Sequence, residues 1–100
     1  MIALQRKPTH PGEILREDFL KEYHLTTQQF AHRLRLSRST VQKILRGQGR
    51  ITPNIALRLA QCFGTSPEVW LGLQNEWDLY RERRANDLAL REIIPMAASM

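Results

Sequence analysis

Arg38, Ser39, Thr40, Gln42, Lys43 and Arg46 fall within nine consecutive residues, and each of their side chains can donate a hydrogen bond. On a helix they share the face opposite Val41, Ile44 and Leu45, whose spacing is that of an amphipathic helix. The outward surface therefore consists of donors, with no carboxylate among them. That is the chemistry of a base-reading helix: hydrogen bonds to base edges, and positive charge for the phosphates beside them.

The elements that must position this face are written in residues 25–47, LTTQQFAHRLRLSRSTVQKILRG. A first helix is expected from a Thr26 or Thr27 cap to about Leu34, burying Phe30, Ala31 and Leu34. Arg35 and Leu36 make a tight turn. Ser37 caps the second helix through its hydroxyl and is also an expected DNA contact beside the donor face, and Gly47 ends the helix. Two short helices joined this way are a helix-turn-helix.

Charge supports the reading. From Tyr23 to Pro67 there is no Asp or Glu, whereas Arg33, Arg35, Arg38, Lys43, Arg46, Arg50 and Arg58 give seven positive charges. A solvated face normally mixes signs; an unbroken basic segment repels itself until a polyanion neutralises it. Arg46 and Arg50 are expected phosphate contacts. The whole chain has 100 residues, a formal charge of +5, a pI of about 10.1 and 42% hydrophobic residues, which fits one small ordered domain whose modest core makes association plausible. No run approaches the length of a membrane span, and the N-terminus lacks a signal-peptide core, so the expected compartment is the cytoplasm. Cys62 is the only cysteine, which excludes an internal disulfide and reads as a small hydrophobe. His10, His24 and His32 are scattered, and the Glu13 and Glu17 pair is a commonplace of helix surfaces. No metal, cofactor or enzymatic activity is expected.

Before the helix-turn-helix, residues 1–8 are expected to form an arm. A first helix starts near Thr9 or His10 with Pro11 in its first turn, and runs to about Glu22. Its apolar face is Leu15, Phe19, Leu20 and Tyr23; Glu13, Glu17, Asp18 and Glu22 line another, where the helix dipole and a partner surface are both explanations. After the loop from Gly47 to Ile51, Thr52 and Pro53 start a fourth helix, ended by Gly64, and Ser66 and Pro67 start a fifth. The expected fold is an all-α, five-helix domain over residues 9–84. Trp70, Leu73, Trp77 and Tyr80 form a stripe on a helix running to about Arg84, longer than the core needs, so a homodimer interface is expected there. In the tail, residues 85–100, Asn86 and Asp87 look like a break. A short strand is expected near Arg91 to Pro95, pairing across the dimer, and disorder over the last five residues.

THPGEILREDFL, the helix-turn-helix run and ITPNIALRLAQCFGTSPEVWLGLQNEWDLY together resemble the HigA/VapI antitoxins, a branch of the lambda-repressor-like (XRE) helix-turn-helix family, over about residues 8–80. The resemblance implies a homodimer that binds operator DNA, represses its own operon, and neutralises a HigB-type toxin, typically an mRNA endonuclease. Carried over by position, Arg38, Ser39 and Lys43 fall where lambdoid repressors read bases, and Thr27 where they contact phosphate. Arg38 best matches guanine, whose O6 and N7 accept a guanidinium fork. Arg35 stands where that family commonly has Gly, and a left-handed turn there costs about 1 kcal/mol. Such toxins are commonly basic, so Glu13, Glu17 and Asp18 are the expected docking surface, with the stretch around Glu76, Asp78 and Glu82 competing. A stand-alone repressor of the same fold is the alternative.

Overall fold

Local caps decide where the helices begin. In the computed structural model, which describes residues 6–99, α1 (Pro11–Ile14) starts behind His10, whose Nδ1 accepts a hydrogen bond from the Gly12 amide at 2.8 Å. Pro11 sits in the first turn, where its missing N–H leaves nothing unpaired. The chain continues as a π-helical stretch, Leu15–Leu20. Leu15 and Leu20 are both buried although they are five residues apart, a spacing that an α-helix of about 3.6 residues per turn splits between faces. The wider π turn brings them to one side. The first helix consequently stops short of Glu22 and closes through His24, which is left-handed at φ 55°.

The next four starts share one device. Thr26, Ser37, Thr52 and Ser66 accept amides one turn into α2 (Thr27–Leu34), α3 (Arg38–Leu45), α4 (Pro53–Phe63) and α5 (Pro67–Ala85). Thr26 and Gln29 form a full capping box. The ends also follow expectation: Gly47 (φ 78°) follows α3 and Gly64 (φ 73°) follows α4.

The core gathers Leu15 from the π-helical stretch, Phe30, Leu34, Val41, Ile44, Ile55, Leu59 and Trp70 from α2 to α5, and Ile51 from the loop. Phe19, Phe63 and Trp70 form its aromatic edge, Phe19 to Phe63 at 4.6 Å and Phe19 to Trp70 at 5.3 Å between ring centroids. At Gly12 α1 lies directly on the end of α3, because a Cβ there would stand 1.8 Å from the Ile44 carbonyl oxygen.

The tail departs from expectation. After a break at Asn86, residues Asp87–Arg91 form α6, and Met96–Ser99 form a 3₁₀ turn. There is no strand among the described residues. Ile93 to Pro95, inside the segment where a strand was expected, carry no regular structure between the two turns. Of the expected arm, residues 1–5 lie outside the described residues; Lys7 places its ammonium 5.7 Å from the centroid of the Trp77 ring. The far half of α5 and α6 project from the body: the molecule measures 57 × 24 × 20 Å with a radius of gyration of 17.0 Å. A compact chain of this length would have about 13 Å.

Candidate nucleic-acid interface

α2 and α3 pack on each other through Phe30, Ala31, Leu34, Val41 and Ile44, leaving the donor face of α3 toward solvent. Arg38, Ser39, Lys43 and Arg46 are exposed, while Thr40 and Gln42 are half-buried at its edge. Among the described residues, none forms an ion pair or side-chain hydrogen bond with Arg38, Ser39, Lys43 or Arg46. Three cations at one short helix without a carboxylate repel one another and attract an external anion.

The other expected site residues divide by what they already do inside the protein. Ser37 is fully engaged: its hydroxyl accepts from the Thr40 amide at 3.2 Å and donates to the Thr40 hydroxyl at 2.8 Å. Its function in the fold is to cap α3. Thr27 is the first residue of α2 and half-buried, beside the amides of that helix start. Arg50 is drawn back onto α5, its guanidinium 2.6 Å from Asp78. The Asp78 carboxylate is in turn held by Gln74, whose side-chain nitrogen donates at 3.0 Å while its oxygen accepts from the Ile51 amide at 2.8 Å. The loop after α3 is thereby tied to α5 by one buried amide.

Gln74 carries no signal as a functional residue in the sequence beyond being a polar residue inside the Trp70–Leu73–Trp77 stripe. Nor does the sequence mark Arg16, or set Arg58 apart from the other cations of the basic run. The Arg16 guanidinium donates to the Leu45 carbonyl at the end of α3 at 2.5 Å, and Arg58 donates to the Leu34 and Arg35 carbonyls at the end of α2. Cations suit helix C-termini through the dipole, but both pairings span more than twenty residues and leave no local pattern. Arg35 keeps the left-handed turn at φ 56° despite its side chain.

The expected dimer stripe is not one surface. Trp70 is 1% exposed, its indole N–H donating to the Thr65 hydroxyl at 2.7 Å, and it belongs to the core. Leu73 packs partly against that core. Trp77 meets the His10 ring edge-on at 5.1 Å, and Tyr80 lies under the Arg84 guanidinium at 5.5 Å. Only the last three retain solvent-facing area.

The acidic face of the first helix is partly neutralised. Glu17 binds Lys21 at 2.6 Å and Arg16 at 3.1 Å, and the Lys21 hydrogen bond, then that of Arg16, holds its carboxyl below the usual range. Glu13 and Asp18 are exposed. On the competing face, Asp78 is taken by Arg50, and Glu82 accepts from the Asn86 side chain at 3.0 Å, leaving Glu76 exposed. Burial pushes the His10 imidazole below its ordinary value, against a backbone hydrogen bond with Gly49 that opposes it. Burial likewise raises the Cys62 thiol, which keeps it protonated and unreactive.

Comparison with known proteins places this geometry. A model of the helix-turn-helix family matches residues 17–70. An uncharacterised HTH-type transcriptional regulator of Haemophilus influenzae is 42% identical over 81% of this chain and 78% of its own length. The antitoxin HigA-1 of Vibrio cholerae is 30% identical over 100% of this chain and 94% of its own. Among solved structures, the Pseudomonas aeruginosa antitoxin HigA with the higBA promoter superposes with a TM-score of 0.86 at 40% identity, covering 89% of this chain and 98% of that one.

Proposed function

Because the chain belongs to the helix-turn-helix family that includes the HigA antitoxins, we propose that it is the antitoxin of a toxin–antitoxin pair and represses its own operon by binding operator DNA as a homodimer. The observation that carries the DNA-binding part is the unpaired donor face of α3. Arg38 reads guanine, with Ser39 and Lys43 as secondary readers and Thr40 and Gln42 at the edge of the contact. Arg46, Thr27 and the N-terminal amides of α2 take phosphates. Arg50 adds a further phosphate contact when it leaves Asp78. The mechanism is binding, not catalysis, and its setting is the cytoplasm.

A twofold arrangement of two chains would set the α3 helices in successive major grooves, about 34 Å apart on an inverted repeat. Leu73, Trp77 and Tyr80 are the helix face proposed for that contact. Glu13 and Asp18, with Glu17 less available, form the docking surface for a small basic toxin. Helices preformed from Pro11 to Ala85 favour occlusion of the toxin by a ready surface over folding upon it.

A stand-alone repressor is the second reading, favoured by the Haemophilus relative described only as a transcriptional regulator. One experiment separates the two. The small reading frame adjacent to this one is induced alone and together with this chain. Growth arrest relieved by this chain, with a co-purifying complex, is the expected result; no arrest, with binding to the upstream DNA intact, replaces the antitoxin reading by the plain repressor.

A further inference from the structure

Arg58, on α4, commits its side chain to three hydrogen bonds. Its Nε donates to the Asn54 side-chain oxygen at 2.7 Å; one terminal nitrogen donates to the Leu34 carbonyl at 2.8 Å and the Arg35 carbonyl at 3.2 Å. Those two carbonyls are what the turn itself cannot satisfy. The Arg35 amide returns to the His32 carbonyl at 3.1 Å and the Leu36 amide to the Ala31 carbonyl at 3.0 Å, the pairing of a left-handed helix end. Leu34 and Arg35 then point their oxygens onward, toward α4. Arg35 holds φ 56° with a full side chain, a conformation glycine adopts without cost.

We infer that Arg58 is a positioning residue for DNA recognition: tethered by Asn54, its guanidinium clamps the end of α2, holds Arg35 left-handed, and so sets the angle at which α3 is presented. Arg58 does not touch DNA in this reading. It also explains how a non-glycine residue keeps the turn of a helix-turn-helix. An ammonium in its place keeps the charge but lacks the planar fork that spans Asn54 and both carbonyls.

The inference rests on the DNA-binding reading above, so its test has one arm that uses DNA and one that does not. Arg58→Lys, Arg58→Ala, and each combined with Arg35→Gly are compared with the parent chain. The probes are a duplex from directly upstream of this reading frame and a random duplex of equal length, with amide hydrogen exchange followed at Arg35 and Leu36. The expected result is faster exchange at Leu36 in Arg58→Lys, with affinity for the upstream duplex down about tenfold and that for the random duplex within about threefold, as release of one strained turn implies. Arg35→Gly should restore most of the loss, a rescue that a general packing defect would not show. Unchanged exchange at Leu36 in both Arg58 variants overturns the inference, as does an equal loss on both duplexes without rescue. A parent chain that shows no preference for the upstream duplex instead removes the autorepression reading, and the exchange arm then decides on Arg58 alone.

Discussion

The Arg50 guanidinium lies 2.6 Å from the Asp78 carboxylate, joining the loop that follows α3 to α5, 28 residues further along the chain. Arg50 is well exposed, so the pair adds little to stability against solvent screening. Its consequence is for charge: while Asp78 holds it, Arg50 is unavailable to phosphate.

Asp78→Asn should therefore strengthen binding to any duplex and steepen its salt dependence, by about one unit of slope for the one released cation. Titrations of random DNA at two salt concentrations check this; an unchanged slope would mean that Arg50 does not reach the backbone.

Arg38 and Arg46 should behave differently although both are unpaired. Arg38→Ala is expected to lose about 1–3 kcal/mol on the upstream operator and to relax specificity at one position in each half-site, whereas Arg46→Ala weakens all DNA alike. Equal losses on operator and random DNA for Arg38→Ala would remove it from base reading.

His10 ties folding to pH. Its Nδ1 must carry a lone pair to accept the Gly12 amide, and burial favours the same neutral form, so its folded pKa is lowered. With the folded value below the unfolded 6.5, the stabilisation is present above that pH and is lost as pH falls through the folded value. Denaturant midpoints between about pH 5 and 7 should fall with acid in the parent chain and fall less in His10→Asn, which keeps a capping oxygen but does not titrate. Parallel curves for the two proteins would assign the acid sensitivity elsewhere.

At Gly12 a methyl group would meet the Ile44 carbonyl oxygen, a backbone atom that cannot swing aside. Gly12→Ala is expected to cost about 1–3 kcal/mol by forcing α1 off α3, even though alanine is the better helix former. A melting temperature equal to or above that of the parent would show that the contact relaxes freely.

Much of this fold could be read from the chain alone because its signals are local. Thr26, Ser37, Thr52 and Ser66 each cap an amide three residues on, and the bounds of α2, α3 and α4 follow from those caps and the apolar spacing between them. The donor face of α3 was legible for the same reason. The tail was not: helical and extended spacing overlap in Leu88, Leu90, Ile93 and Ile94, and the helix takes Leu88 and Leu90, where the Leu90 amide returns to the Asn86 carbonyl at 2.8 Å. What only the tertiary structure decided is which charges the protein uses on itself. Arg16, Arg50 and Arg58 look the same in sequence as Arg38 and Arg46, yet each is bound to a group 23 to 29 residues away, and Gln74 joins that set. Trp70 likewise reads as one member of a stripe until packing against Phe19 and Phe63 encloses it. Periodicity reports which face of a helix is apolar; it takes the placement of other helices to determine which part of that face is covered and which cations remain for DNA.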